Sequence, residues 1–232
     1  IHIQLENEEE NQNKQIIEKN LQTNKIAKNK KKKKAAIFVD GECELWYFQM
    51  MKRNENAINL DLLPKLPRKK KLFDLYKEVK KSASDYDLVI WIVDLDKVLE
   101  EERSKKKEGK NPKVEFLKYY KDLSRLKNVK VIVSNPCLEY WLLLHYEYTA
   151  KPFKDCSEAN QLLKKHLKDY DKSEKYFVKN DLYKKIKNNQ ETAVKNAKKL
   201  GEFSSESFDS SICEMYKLFD SDEKVNFLTD LK

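Results

Sequence analysis

At 232 residues and 27.7 kDa, with 40% hydrophobic and 38% charged residues, the chain can build one core beneath a crowded charged surface. Only three glycines occur, against a usual ~7% of residues. Neither G-x-G-x-x-G nor G-x-x-x-x-G-K-S/T is present, which excludes the dinucleotide and P-loop phosphate cradles. The formal charge of +9 is almost all lysine and leaves two readings open: a polyanionic partner such as nucleic acid, or a solvated surface.

Residues 1 to 34 are polar and end in the run Lys30–Lys34, with a thin apolar stripe of Ile3, Leu5, Ile16, Ile17, Leu21 and Ile26. A flexible, frayed or partly helical arm is expected there. The chain opens on Ile1, and nothing before Lys34 reads as a signal peptide. No apolar stretch approaches the ~20 residues that cross a bilayer.

Ala35–Val39 is a short continuous apolar run and predicts a strand buried on both faces, stopping at Asp40–Gly41. The spacing of Leu45, Phe48 and Lys52 predicts a helix, and Asn54 to Lys71, with Pro64 and Pro67, reads as turn-rich. Leu72, Leu75, Tyr76 and Val79 mark an amphipathic helix. Asp87–Val93 is the second expected strand, ending in Asp94–Leu95–Asp96. Glu100 to Lys110 reads as an exposed helix or loop, followed by a helix using Phe116, Leu117, Tyr120, Leu123 and Leu126.

Val129–Val133 is the third strand, ending in Ser134–Asn135–Pro136, and a helix opens at Cys137. Beyond Ser157 only helices are expected, over Ala159–Lys168, Asp181–Leu200 and Ser210–Phe219. Strands alternating with helices predict an α/β fold: a parallel sheet with right-handed crossovers, flanked by helices. The expected organisation is an arm over 1–34, an α/β core over 35–150 and a C-terminal helical extension over 151–232.

In an open parallel sheet, ligands bind beyond the carboxyl ends of the strands, where Asp40, Asp94 and Asp96 fall. Residues i and i+2 of extended chain face one side, so Asp94 and Asp96 are expected to project together. Neighbouring strands lie ~4.8 Å apart, so adjacency of the two strands brings three carboxylates into one volume. Such a group repels itself unless a cation intervenes, and magnesium takes hard oxygen ligands. The competing reading makes Asp96 a helix N-cap and Asp94 a solvated strand end. Four scattered cysteines (Cys43, Cys137, Cys156, Cys213), without C-x-x-C, argue against disulfides and structural zinc and for a reducing cytoplasm.

Asp40–Gly41–Glu42–Cys43–Glu44–Leu45–Trp46–Tyr47–Phe48 resembles the EGETE-x-x-YF opening of RloB-like proteins. Ser134 to His145, reading SNPCLEYWLLLH, resembles their SNPCFE-x-W-LLLH signature, and Ala193–Val194–Lys195–Asn196–Ala197 is similar to their later A-x-x-NA helix. The resemblance runs from about Ala35 to Phe219 and implies a TOPRIM-like fold. In that fold an acidic residue after the first strand and a D-x-D after a later one hold divalent metal for phosphodiester chemistry.

The resemblance thus implies a Mg2+- or Mn2+-dependent nuclease acting on DNA or RNA. Its setting would be bacterial restriction or abortive-infection defence; a partner ATPase encoded alongside is expected because the chain has no nucleotide loop of its own. Asp40, Asp94 and Asp96 are then the expected metal ligands, and Glu139 a further ligand or the base that activates water. Glu42, Glu44 and His145 are secondary candidates. Glu139 also suits a first helical turn, where the dipole favours a carboxylate, and His145 suits a hydrogen-bonded core. The surplus of positive charge at Lys52, Arg53, Arg68 to Lys71 and Arg103 to Lys107 is expected to grip phosphates or merely to be solvated.

One departure stands out: the family's first acid is glutamate and here it is Asp40, shorter by roughly 1.5 Å. Glu42 or Glu44 is placed to compensate. The departure also favours an alternative, a catalytically weakened nucleic-acid-binding or regulatory subunit of a defence complex.

Overall fold

The apolar runs that precede the acidic residues are strands because their alternate side chains are buried on opposite faces. The computed structural model describes residues 33–220, apart from 58, 66–70 and 105–110. Five strands form one sheet in the order β2-β1-β3-β4-β5. They are β1 (Ala35–Phe38), β2 (Leu60–Leu63), β3 (Leu88–Asp94), β4 (Val129–Asn135) and β5 (Ile212–Cys213). The first four are parallel and β5 runs antiparallel to β4. Phe38 is in register with Trp91, and Asp94 with Ser134.

Helix α1 (Glu42–Glu55) follows β1, α2 (Leu72–Ser82) follows β2, and α3 (Leu95–Ser104) and α4 (Pro112–Leu123) lie between β3 and β4. Helix α5 (Leu138–Leu144) leaves β4, and α6 (Cys156–His166), α7 (Leu182–Ile186) and α8 (Gln190–Lys198) complete the set. Asn111 caps α4, its side chain accepting from Lys113 N and Val114 N ahead of Pro112.

Ala35, Ile37, Ile90, Ile92 and Ile132 face α1 and α5 to α8, whereas Ala36, Phe38, Val89, Trp91, Val131 and Val133 face α2 to α4. Burial on both faces is why these strands read as unbroken apolar runs. Trp91 and Trp141 are fully buried, one on each side. Each such side chain contributes roughly 2–3 kcal/mol through removal from water.

The structure alters several sequence expectations. The turn-rich stretch hides β2, a four-residue edge strand whose Asp61 interrupts the apolar pattern. The single helix expected over Asp181–Leu200 is broken by a 3-10 turn at Lys187–Asn189 into α7 and α8. In place of a helix over Ser210–Phe219 there is β5, then a 3-10 turn over Glu214–Leu218. The segment after residue 150 therefore supplies a strand to the sheet as well as helices. The expectation against disulfides is overturned: Cys137 and Cys156, 19 residues apart in sequence, are bonded, with their Cα atoms 5.7 Å apart. Spacing concealed the pair because it is closed by α5 and the following loop rather than by a short turn. The expected N-terminal arm lies outside the described residues, save Lys33 and Lys34.

Candidate functional site

Strands β1 and β3 are neighbours, so their carboxyl ends meet. Asp94 closes β3 in step with Ile90 and Ile92, and its side chain leaves on the face covered by α1 and α5. Helix α1 brings Glu44 there and α5 brings Glu139. Gly41 precedes α1, and a Cβ at that position would clash with Glu44 Oε2. Glycine is what lets this carboxylate fold back over the turn. Asp96 belongs to the first turn of α3, not to extended chain, so the period-two argument fails for it. Its backbone N–H donates to the Pro136 carbonyl at 3.3 Å, tying the start of α3 to the turn that leads into α5.

The result is a cavity of about 240 Å³ whose lining includes Glu42, Glu44, Asp94, Asp96 and Glu139, together with Lys97, Lys172, Cys43, Cys137 and Cys156. Asp40 adjoins it but is engaged elsewhere: its Oδ1 accepts a hydrogen bond from Lys97 Nζ at 2.7 Å. Glu44, rather than Asp40, is the carboxylate that the first strand's turn presents to the cavity.

Burial raises the pKa of Asp94 well above its usual value, with the charges of Glu44, Asp40 and Asp96 adding to the effect. The same cause, burial first, pushes Asp96 up to about 6 and Glu44 up to about 7. Burial pulls the Lys97 ammonium down, but Asp40, Glu44 and Asp94 outweigh it and the net shift is upward. Asp94 is 5% exposed and its Oδ1 has no partner among the described residues; Asp96 Oδ1 is likewise buried without one.

Glu214 provides the internal comparison. It is fully buried too, yet it accepts from Val133 N at 3.0 Å, Phe203 N at 3.1 Å and Lys217 Nζ at 2.8 Å. A buried carboxylate supplied with donors holds a fold together, whereas Asp94 and Asp96 each keep one oxygen without a donor, which a counter-charge would satisfy. The donor set at the cavity, carboxylate oxygens with orphaned atoms, fits a hard divalent cation such as Mg2+ or Mn2+.

Glu139 is 2% exposed. Its Oε1 accepts from Tyr170 Oη at 2.8 Å and pairs with Lys172 Nζ at 2.7 Å. Neither partner was expected from sequence, because both lie in an irregular stretch after α6 that carries no motif. Lys97 was also missed, although it directly follows the D-x-D. His145 sits apart from the cavity: 1% exposed, it holds the Trp141 carbonyl through Nδ1 at 2.9 Å, and burial lowers its pKa to about 4. That is a neutral core histidine. Glu42 is exposed at the cavity rim.

Of the basic residues expected to grip phosphate, Arg53 pairs with Asp181 at 2.7 Å and Lys52 donates to the Leu60 carbonyl. Both therefore tie α1 to its neighbours. Arg103 donates to the Lys154 carbonyl at 3.4 Å; residues 68–70 and 105–107 lie outside the described residues. No helix among the described residues is long and apolar enough to cross a membrane.

Residues 35–221 match the family described as RloB-like protein, and the chain belongs to that family. No curated protein matches the chain, and no solved structure does.

Proposed function

We propose that this member of the RloB-like family is a TOPRIM-like, divalent-metal-dependent nuclease that cleaves nucleic-acid phosphodiesters. The single observation that supports the reading most is the pair of buried, partnerless carboxylate oxygens on Asp94 and Asp96 at the carboxyl end of a parallel sheet. Asp94 and Asp96 would hold the cation, with Glu44 beside them. A bound Mg2+ or Mn2+ supplies polarisation of the phosphodiester and a lowered pKa for water. Glu44, standing at about 7, is the carboxylate best matched to exchanging a proton at neutral pH. Tyr170 and Lys172 fix Glu139 in the wall of the same cavity.

The test is cleavage of single- and double-stranded DNA and RNA by the purified full chain with Mg2+ or Mn2+. Cleavage is expected in wild type and absent from Asp94→Ala combined with Asp96→Ala. Undiminished cutting by the double variant removes the assigned site.

One observation favours a second reading, a binding or regulatory subunit with little turnover. Asp40 stands where the family has glutamate, and its carboxylate is held by Lys97 instead of facing the cavity. Calorimetry separates the two: nucleic-acid binding without any divalent-metal binding supports the subunit. The antiphage role rests on the family resemblance and an ATPase encoded alongside on the missing nucleotide loop, whereas the Cys137–Cys156 bond removes the cysteine argument for a reducing cytoplasm.

A further inference from the structure

The cavity lining also carries sulfur donors that the oxygen-ligand site does not use. Cys137 immediately precedes α5 and Cys156 opens α6, and together with Asp96 they place one ligand atom each within 4.8 Å of one another. Glu139 Oε2 lies 3.0 Å from Cys137 Sγ and 2.7 Å from Cys156 Sγ. In the bonded pair neither sulfur carries a proton, so this oxygen of a carboxylate 2% exposed faces two atoms that cannot donate to it. The cluster is satisfied in two other states: as thiols donating S–H, or with a cation between sulfurs and carboxylates. Lys172 Nζ lies 3.6 Å from Cys156 Sγ and 2.7 Å from Glu139 Oε1, so it stands beside both kinds of donor.

We infer that the reduced pair, Cys137 and Cys156, forms with Asp96 and Glu139 a site for a thiophilic divalent cation of the Zn2+ class. Two thiolates and two carboxylate oxygens make the four-coordinate N/O/S set that zinc accepts, with sulfur at about 2.3 Å. Thiolates are the ligands that Mg2+ declines, so the site is chemically separate from its neighbour although it shares Asp96. The disulfide is its oxidised, closed form. Opening it takes two electrons and two protons from a thiol reductant: Cys–S–S–Cys and two R–SH give two Cys–SH and R–S–S–R. Binding then exchanges the two thiol protons for one cation.

Cobalt serves as the probe, because thiolate-bound tetrahedral Co2+ gives a sulfur-to-metal charge-transfer absorption that oxygen ligands do not. The full chain, reduced with a phosphine and titrated with Co2+, is expected to develop that band at one ion per chain and to lose it on adding Zn2+. The unreduced protein should develop none. Cys137→Ser with Cys156→Ser should abolish the band, Cys43→Ser should keep it, and Asp96→Asn should weaken binding by about tenfold or more. Should the double variant misfold, alkylation of reduced wild type decides: Zn2+ must shield Cys137 and Cys156 from a reagent that modifies them in the reduced, metal-free chain. A reduced wild type without the band, or a band that survives the double substitution, overturns the proposal. The two sites fail separately: Asp94→Ala leaves all four proposed ligands in place and is expected to keep the cobalt band even where it abolishes Mn2+-dependent cleavage.

Discussion

Replacing Asp96 with Asn removes one negative charge from the crowded cavity and leaves the side chain's size unchanged. Burial, then the charges of Asp40 and Glu139, lift this carboxyl from 3.8 to about 6 against the opposing pull of Lys97. A shift of roughly two pKa units corresponds to about 3 kcal/mol. The sign follows from proton linkage: the folded chain holds the proton more tightly than the unfolded one. Stability therefore falls as pH rises from about 4 to about 6, and the full penalty is present above that range. In chelator at pH 7, Asp96→Asn should be more stable than wild type by up to about 3 kcal/mol. For a domain of this size that is roughly 6–12 °C in Tm. The gap should close near pH 4, and saturating Mn2+ should reverse the order, raising wild type and leaving the variant nearly unmoved. Thermal melts followed by circular dichroism over that pH range, with and without Mn2+, measure all three. A variant less stable than wild type at pH 7 in chelator would refute the reasoning, because it would mean that the carboxylate already has its partner as an ordinary helix-start residue.

Two further outcomes are expected. Tyr170→Phe deletes the hydroxyl that donates to the buried Glu139 Oε1, and urea denaturation should register a loss of roughly 1–3 kcal/mol; no measurable loss would show that Lys172 alone suffices. His145→Leu should leave cleavage within a few fold of wild type and flatten the acid limb of stability. The histidine's folded pKa is lowered to about 4, so the unfolded chain takes up its proton first and stability drops as pH falls from about 6.5 towards 4. A folded His145→Leu without activity would return the residue to the catalytic machinery.

How legible the fold was depended on how much of each element's burial is written locally. β1, β3 and β4 are buried on both faces and stand out as apolar runs, and the acids at their ends mark the sheet's carboxyl edge. β2 and β5 are short, and β2 carries Asp61 in its middle, so periodicity has too little length to register. The convergence of Asp94 with Asp96 was anticipated for a reason that does not hold, since α3 begins at Leu95 and the helix start, not the strand pleat, delivers Asp96. Glu44 was only a secondary candidate because sequence cannot say which carboxylate of Asp40, Glu42 and Glu44 the turn will fold inward. Gly41 was the available clue, since a Cβ there would push the Glu44 carboxylate from the place it takes over the turn. Tyr170, Lys172 and the Cys137–Cys156 pair are set by long-range packing of α5 and α6 and left no local signal.

The scarcity of glycine bears on how such a site would hold a phosphate. With no glycine-rich loop, the chain lacks the usual backbone cradle for a phosphate, so positive side chains or a metal have to supply the attraction. Lys97 and Lys172 are the cavity's lysines, and both are occupied, one by Asp40 at 2.7 Å and the other by Glu139 at 2.7 Å. Those pairs partly neutralise a cavity that would otherwise hold carboxylates alone. A divalent cation held by Asp94 and Asp96 would take over the counter-charge that Lys97 gives Asp94 and Glu44, leaving it only Asp40 to face. Its ammonium group would then be free to turn to a phosphodiester at the cavity mouth. On this argument metal and nucleic acid bind cooperatively, each strengthening the other by the same factor, as thermodynamic linkage requires. Truncating Lys97 should then weaken nucleic-acid binding more in the presence of Mn2+ than in chelator. Equal weakening in both conditions would mean that the lysine serves Asp40 alone.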